Sequence, residues 1–332
     1  MSQPLYRRTF DARTLLTEHP PQLRHPHKRA LFEIAYADGP VSQGQVEVTR
    51  WPQASIEEAF ILPATIAAEV RPDFYDYRPA LGDLPGVEWH VNFADPHLFV
   101  AYGSGLFAQD EMQVAEHPLL GSVREAVLAD DLIAETCDAT GPTPILVRNV
   151  ERRLVVLTDA NASAGRPLGL YGNRFARATL DVVRRATRKI DPPTYTNFIA
   201  MAAPFGGRGD YTEREIELVF TTAYTAFAAA RQESVLANAP QAETVLHTGF
   251  WGCGAFGGNR KLMIALQALA ARAAAIDRVV VHAGDAAGAV EAQTGLDVAE
   301  SLAVRCGTSC TLDTMVGQAV MLGCRWGVSD GN

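Results

Sequence analysis

The chain has 332 residues, 48% of them hydrophobic, and a formal net charge of −9 at pH 7. A hydrophobic fraction of this size supports a full core in one large domain or two modest ones, and it excludes an intrinsically disordered protein. The acidic excess argues against a nucleic-acid partner, because such binding relies on lysine and arginine neutralising phosphates. It leaves room for a small anionic ligand held by backbone N–H groups.

The five cysteines are odd in number and irregular in spacing: Cys137, Cys253, Cys306, Cys310 and Cys324. This pattern is typical of reduced thiols in a cytosolic protein rather than of a disulfide framework or a zinc site. The first residues lack the apolar core of a secretory signal, and no run of about 18 apolar residues predicts a membrane span. We therefore expect no membrane partner, and a protein that is cytoplasmic or delivered into a host cytosol.

Residues 1–85 contain scattered prolines and histidines, and their hydrophobic residues follow only a weak periodic pattern. We predict that they form a mostly helical N-terminal extension packing on a main domain of residues 86–332. The cluster His19, His25 and His27 is compatible with a metal site, but no cluster of carboxylates or cysteines joins it, which favours a solvated loop. Residues 55–70 have helical apolar spacing, interrupted by Pro63.

From residue 86 onward, strand-like and helix-like segments alternate. Strands are predicted at 87–94, 152–159, 195–204, 242–249 and 277–284; helices are predicted at 109–135 with a break at Pro118, at 174–190, at 212–234, at 259–276 and near the end of the chain. The alternation predicts a three-layer α/β/α fold with a mixed, largely parallel sheet. In such folds the ligand lies outside the carboxyl ends of the strands.

A glycine-rich segment, 247–261, connects a predicted strand to a predicted helix. Its sequence, HTGFWGCGAFGGNRK, contains Gly249, Gly252, Gly254, Gly257 and Gly258, interleaved with Trp251 and Phe256. Glycines allow close backbone approach, and a strand-to-helix turn presents N–H groups and the positive end of the helix dipole, which suits phosphate. The spacing matches neither the dinucleotide fingerprint nor the P-loop. Cys253 is also a conceivable nucleophile with His247 as its base, a less favoured interpretation.

Two adjacent acids, Asp110 and Glu111, follow Gln109 at the start of a predicted helix. Acids in a first helical turn are ordinary complements of the helix dipole. The alternative interpretation is that the acid pair catalyses glycosidic-bond cleavage, in which one carboxyl protonates the leaving group and then activates water. Burial and a neighbouring acid would both raise the pKa of such a carboxyl.

Three motifs in this order resemble the poly(ADP-ribose) glycohydrolase branch of the macrodomain superfamily. That branch has V-D-F-A-N, a GGG phosphate loop, Q-E-E and, much later, G-N-W-G-C-G-A-F-G-G. Here the motifs read VNFAD at 91–95, QDE at 109–111 and GFWGCGAFGG at 249–258. The last is an almost complete match and is the specific signal.

The resemblance implies a macrodomain-like fold, ADP-ribose as the ligand, and no metal or cofactor. It assigns catalysis to Glu111, assisted by Asp110, which would orient ribose hydroxyls, with Asp95 near the same ribose. The expected ligand-binding residues, besides Asp95, are Gln109, Gly103, Ser104, Gly105, Gly249, Phe250, Trp251, Gly252, Cys253, Gly254, Ala255, Phe256, Gly257 and Gly258.

Departures from the family pattern bear on the substrate. The GGG positions hold Phe99, Val100 and Ala101, while Phe250 replaces the Asn of G-N-W and Asp110 replaces Glu. These changes favour a divergent hydrolase that removes a single ADP-ribose from modified protein, with an arginine-linked substrate as one option, since Asp95 could hold the guanidinium. A poly(ADP-ribose) glycohydrolase and a non-catalytic ADP-ribose-binding module are the alternatives.

Overall fold

An eight-stranded mixed sheet organises the computed structural model, which describes residues 3–39, 41–63, 65–81, 86–238, 242–307 and 309–331. The strands are β1 (Tyr6–Asp11), β2 (Gln45–Arg50), β3 (Ala67–Arg71), β4 (Gly86–Ala94), β5 (Cys137–Asp138), β6 (Gly141–Pro142), β7 (Ile145–Val156), β8 (Thr187–Ala202), β9 (Glu243–Gly249) and β10 (Arg278–His282). The main sheet has the order β1-β2-β7-β8-β4-β9-β10-β3, and β5 and β6 form a separate pair. The β8, β4, β9, β10 and β3 strands are parallel neighbours, whereas β1, β2, β7 and β8 pair antiparallel.

Helices cover both faces of this sheet. They are α1 (Ala12–Glu18), α2 (Pro26–Ala35), α3 (Gln109–Glu116), α4 (Leu119–Ala129), α5 (Arg174–Arg177), α6 (Leu180–Ala186), α7 (Glu213–Asn238), α8 (Arg260–Ala273), α9 (Ala286–Cys306) and α10 (Leu312–Val320). Alternate residues of β8 enter opposite cores: Ile199 packs with α7 to α10, and Phe198 packs with α1 to α6. This two-residue period produces the predicted α/β/α layering.

Several predicted elements are confirmed. The strand at 87–94 is β4, and the helix break at Pro118 separates α3 from α4. Asn259 is the N-cap of α8, where its side chain accepts a hydrogen bond from the Leu262 N–H at 3.1 Å. Thr212 and Glu215 form a capping box before α7, at the start of the helix predicted from residue 212, with Thr212 N–H donating to the Glu215 carboxylate at 2.8 Å. Local side-chain chemistry therefore sets these boundaries.

The helix predicted at 174–190 is wrong in its last four residues. It is divided into α5 and α6, and β8 begins at Thr187 and continues past Pro192 and Pro193. The two prolines lie opposite an irregularity in the β7–β8 pairing, between Arg152 and Leu154. A residue without an N–H is tolerated there because the ladder is already interrupted.

The N-terminal segment also differs from its expected form. It contributes β1 and β2 to one end of the main sheet, where β2 pairs with β7, and β3 to the other end, where β3 pairs with β10. The helix expected at 55–70 is absent from the described part of that range: Phe60 forms a bridge with Cys310, and β3 begins at Ala67. Strand pairing with distant residues thus overrides a weak local helical pattern.

Among the described residues, no helix is both long enough and apolar enough to cross a membrane. Within the same ranges, no group of three or more His, Cys, Asp or Glu side chains is arranged to hold a metal ion.

Candidate active site

The acid pair, Asp110 and Glu111, lies in the first turn of α3 and is almost completely buried, with 7% and 4% of each residue exposed. The Glu111 carboxylate accepts a hydrogen bond from the Ala108 N–H at 3.0 Å, which satisfies one of the free donors at the helix start. A simple complement to the helix dipole gains nothing from such burial, because desolvation disfavours a carboxylate. The helix dipole alone therefore does not explain the burial of both acids.

The end of β4 anchors this turn. Asn92 donates to Asp110 Oδ1 and to Gln113 Oε1, both at 2.9 Å. The Gln109 amide oxygen accepts from the Phe93 N–H at 2.8 Å, and its nitrogen donates to the Val91 carbonyl at 3.0 Å. Gln109 thereby extends the backbone hydrogen bonding of β4, and its side chain positions the helix start.

Asn92 is absent from the residues expected from sequence. Its signal is its place in the VNFAD motif, where the strand alternation directs it to the same face as His90 and away from the buried Trp89 and Val91. Within the motif, Asn92 and Asp95 stand in the reverse of the family order, which marks the position but not its role.

Burial is the largest influence on the acid pair. It raises the pKa of Asp110, and the charge of Glu111 raises that pKa further, against the opposing effects of the Asn92 hydrogen bond and the positive charge of Lys28. Burial likewise raises the pKa of Glu111, opposed chiefly by Lys28. A carboxyl that holds its proton near neutral pH can act as a general acid.

The glycine loop, residues 249–258, leaves β9 and leads into α8. Trp251 is fully buried and its indole N–H donates to the Met201 carbonyl at 3.0 Å, which ties the loop to the end of β8. Gly252 has φ of 73°, and its carbonyl accepts from the Gly258 N–H at 2.9 Å. A left-handed residue and a close backbone contact both require glycine at these positions.

A cleft of about 1210 Å³ joins the two motifs. Its walls include Asp95, residues 109–111, residues 250–256, Gly258 and Tyr171. Asp95 is about a third exposed, and its carboxylate accepts from the His97 N–H at 2.9 Å. The acid pair and most of the glycine loop, 139 residues or more apart in sequence (250 − 111), therefore face one cavity.

Two glycines of the loop have packing roles instead. A Cβ on Gly249 would lie 2.7 Å from the His282 carbonyl oxygen, so glycine allows β9 and β10 to pack closely there. Gly257 has φ of 66° and contacts residues 327–329, and its carbonyl accepts from the Gly327 N–H at 2.7 Å. Neither residue lines the cleft in the described part of the chain.

The GSG turn at 103–105 is placed away from the cleft, which corrects its expected role as a substitute phosphate loop. A Cβ on Gly103 would lie 2.2 Å from the Gln22 carbonyl oxygen, and one on Gly105 would lie 2.9 Å from Ala176. The Ser104 hydroxyl accepts from the Leu106 N–H at 3.1 Å. These residues let the N-terminal segment approach the loop, while Val100 and Ala101 line the cleft.

Cys253 lies in the cleft wall, but its surroundings do not activate it. Burial raises the pKa of its thiol far above the usual range. The expected base, His247, is fully buried and hydrogen-bonded through its ring nitrogens to Glu88 and His282. A thiol–imidazole nucleophile is therefore not assembled here.

A further cleft residue is Tyr171, whose ring stacks with that of Phe74 at a centroid distance of 6.3 Å. Nearby Asn173 donates to the Gly331 carbonyl at 3.2 Å, so it contacts the chain's last described residues. Phe205 is 64% exposed and its ring packs against Phe256 at 4.6 Å, outside the cleft lining in the described residues.

A second residue that the sequence analysis missed is Lys28 of α2, which is only 2% exposed. Its ammonium donates to the Tyr102 carbonyl at 2.8 Å and lies 3.5 Å from the Glu111 carbonyl oxygen. Burial lowers its pKa to about 8, against the attraction of Glu111 and Asp110. Nothing in the local sequence around residue 28 marks this position, because its partners are about 75 or more residues away.

Comparison with known proteins gives a family match for the second half of the chain. Residues 170–288 match the family model for poly(ADP-ribose) glycohydrolase (PARG), Macro domain fold. The match confirms the predicted resemblance and the macrodomain-like fold, and it supports the predicted enzyme class, a glycosidase-type ADP-ribose hydrolase. The matched segment contains the glycine loop, whereas the acid pair precedes it.

Solved structures of low sequence identity are also similar. The poly(ADP-ribose) glycohydrolase of Thermomonospora curvata bound to the inhibitor ADP-HPD is 19% identical, with a TM-score of 0.44 over 70% of this chain and 78% of that one. The poly(ADP-ribose) glycohydrolase of Deinococcus radiodurans in complex with ADP-ribose is 13% identical, with a TM-score of 0.42 over 88% and 94% of the two chains. No curated protein matches the chain.

Proposed function

We propose that this protein is a glycohydrolase that binds an ADP-ribose unit in the cleft and cleaves the glycosidic bond at its distal ribose. The observation that carries the proposal is the burial of Asp110 and Glu111 in the wall that they share with the glycine loop. The loop supplies backbone groups suited to a diphosphate, and the acid pair supplies a proton donor.

The two acids have different roles in the proposed reaction. Protonated Glu111 gives its proton to the leaving oxygen or nitrogen as the bond to the anomeric carbon breaks. The resulting carboxylate takes a proton from water, whose oxygen bonds to the same carbon, and Glu111 returns to its starting form. Asp110, held by Asn92 at 2.9 Å, orients the ribose hydroxyls.

The family match favours poly(ADP-ribose) over mono-ADP-ribosylated protein as the substrate. We therefore propose the polymer first, which reverses the order of preference from the sequence alone. Arginine-linked mono-ADP-ribose remains a second candidate because Asp95 adds a carboxylate to the cleft wall close enough to act on Asp110. A partly exposed carboxylate beside the leaving group could bind a guanidinium.

A non-catalytic ADP-ribose-binding module is the competing proposal from another functional class. It needs the glycine loop but has no use for two buried carboxyl groups, which destabilise the fold when ionised. The burial of Glu111 and its partners thus supports an enzyme.

The proposed domain organisation places both motifs of the active site in one unit. We propose that residues 86–332 form the macrodomain-like hydrolase unit, with the acid pair and the glycine loop both inside it. Residues 1–85 complete this unit by adding strands to its sheet and Lys28 beneath its acid pair.

The decisive experiment measures ADP-ribose released from poly(ADP-ribose) and from arginine-, serine- and glutamate-linked mono-ADP-ribosylated proteins. Wild type should release it, and Glu111→Gln should be slower by about 10²–10⁴-fold while still binding ADP-ribose. Glu213→Gln is the matched control, since Glu213 is an exposed acid in the first turn of α7. Binding without release from any substrate would establish the non-catalytic module instead.

A further inference from the structure

The ammonium of Lys28 is buried, with 2% of the residue exposed, which is uncommon for a lysine. Its hydrogen-bond acceptors are the backbone carbonyls of Tyr102 and Glu111, at 2.8 and 3.5 Å. The aromatic rings of Phe107 and Phe175 lie 5.1 and 5.8 Å from the nitrogen and help to exclude water. A charge in such a site needs compensation, because its lost hydration costs several kcal/mol.

The acid pair interacts electrostatically with this ammonium, which contacts the Glu111 backbone carbonyl at 3.5 Å. The charge of Lys28 favours ionisation of Asp110 and of Glu111, and each carboxylate in turn favours the ammonium form of Lys28. Three ionisable groups thus share one poorly hydrated region. A combination of one ammonium, one carboxylate and one carboxylic acid is electrically neutral, and it avoids the repulsion between two carboxylates.

This combination is also the one that the proposed reaction requires. Two carboxylates would leave no proton for the leaving group, and two carboxylic acids would leave no negative charge to stabilise an oxocarbenium-like state. An ammonium beneath the pair selects the intermediate protonation state without contacting the substrate.

We propose that Lys28 is a positioning residue of the active site, whose buried ammonium holds one acid of the pair ionised while the other keeps its proton. The inference rests on the proposed function for its catalytic meaning. It also assigns the N-terminal segment a part in the chemistry, since α2 carries this residue beneath α3.

Other titratable and charged groups also face the cluster. They are His25 before α2, Asp95 after β4, and Tyr171 before α5. Because they belong to several elements, the effect of Lys28 must be isolated by substitution at residue 28 itself.

The first test is direct titration of the acid pair by carboxyl ¹³C NMR, with Asp110→Asn and Glu111→Gln used for assignment. Lys28→Met and Lys28→Gln should move the titration of the pair to higher pH, and Lys28→Arg should restore it towards wild type. Gln retains a donor for the Tyr102 carbonyl, so it provides a folded neutral variant if Met destabilises the chain. Lys189→Met is the control for lost charge, because Lys189 pairs with Asp38 elsewhere.

The second test is the pH profile of kcat/KM for release of ADP-ribose. The neutral variants should lose activity by about tenfold on the acid side, with the whole profile displaced to higher pH, whereas a purely structural role would lower activity equally at every pH. An unchanged carboxyl titration in both neutral variants would overturn the assignment of Lys28. Failure of wild type to release ADP-ribose would overturn the proposed function and leave the NMR result to decide the role of Lys28.

Discussion

Asn92 at the end of β4 and Asp110 in the first turn of α3 are joined by a hydrogen bond of 2.9 Å in which the amide donates to the buried carboxyl. The bond connects the VNFAD and QDE motifs directly. This hydrogen bond stabilises the ionised form of Asp110, whereas burial favours the protonated form, so the two have opposite effects on the pKa of Asp110.

Removing this donor should damage both stability and function. Asn92→Ala leaves Asp110 and Gln113 without their shared partner, which we expect to cost about 1–3 kcal/mol of unfolding free energy. Asn92→Asp should be worse near neutral pH, because it adds a like charge beside two acids. Urea denaturation and kcat/KM measure the two effects, and an Asn92→Asp protein as stable as wild type would contradict the assigned geometry.

The acid pair should make stability depend on pH. A carboxyl whose native pKa is raised binds its proton more tightly when folded, so its stabilising contribution is full below the unfolded pKa and is lost as pH rises through the native pKa. Asp110→Asn mimics the protonated form and keeps the acceptor for Asn92. We expect it to exceed wild type in stability near neutral pH by more than about 1.4 kcal/mol, the equivalent of one pKa unit.

That advantage should vanish in acid, below the ordinary carboxyl pKa of about 4. Thermal denaturation across the pH range measures it. Asp181→Asn is a matched control, since Asp181 is an exposed acid in the first turn of α6. A gain at Asp110 that is constant with pH would indicate a different cause.

Gly252 is expected to tolerate no side chain. Its φ of 73° is unfavourable for alanine, and a Cβ there would lie 2.6 Å from the Ala203 Cβ. Gly252→Ala should lower the unfolding free energy by at least about 1–2 kcal/mol and weaken ADP-ribose binding, measured by calorimetry.

Gly317 offers the contrasting substitution. It lies within α10, and a Cβ added there meets no atom within 4 Å. Gly317→Ala should therefore stabilise the protein by about 0.5–1 kcal/mol and leave binding unchanged. If the two substitutions had equal effects, the loop geometry proposed for Gly252 would be wrong.

Cys253 should be chemically inert in the folded protein. Burial raises the pKa of its thiol, so little thiolate is present at neutral pH. Alkylation by iodoacetamide, followed at the Cys253 peptide by mass spectrometry, should be at least about tenfold slower in native than in denatured protein. Rapid alkylation of the native form would restore the thiol as a candidate nucleophile.

Local sequence was sufficient for the features that depend on neighbouring residues. The glycine loop and the acid turn were identified from residues that are adjacent in the chain. The helix predicted from residue 259 begins where the Asn259 side chain accepts a hydrogen bond from the N–H three residues ahead. The alternation of strands and helices from β4 onward was predicted from the spacing of hydrophobic residues. Each is decided by backbone conformation or by contacts within one turn.

Only the tertiary structure decided which distant residues meet. It joined β1, β2 and β3 to the main sheet, extended β8 through two prolines, and turned the GSG segment towards Gln22. It also placed Lys28 beside Glu111, although 83 residues separate them. The periodicity of hydrophobic residues predicts which face of a helix or strand is buried, but not which other element packs against that face. The free energy of a buried charge depends on the groups of that packing element.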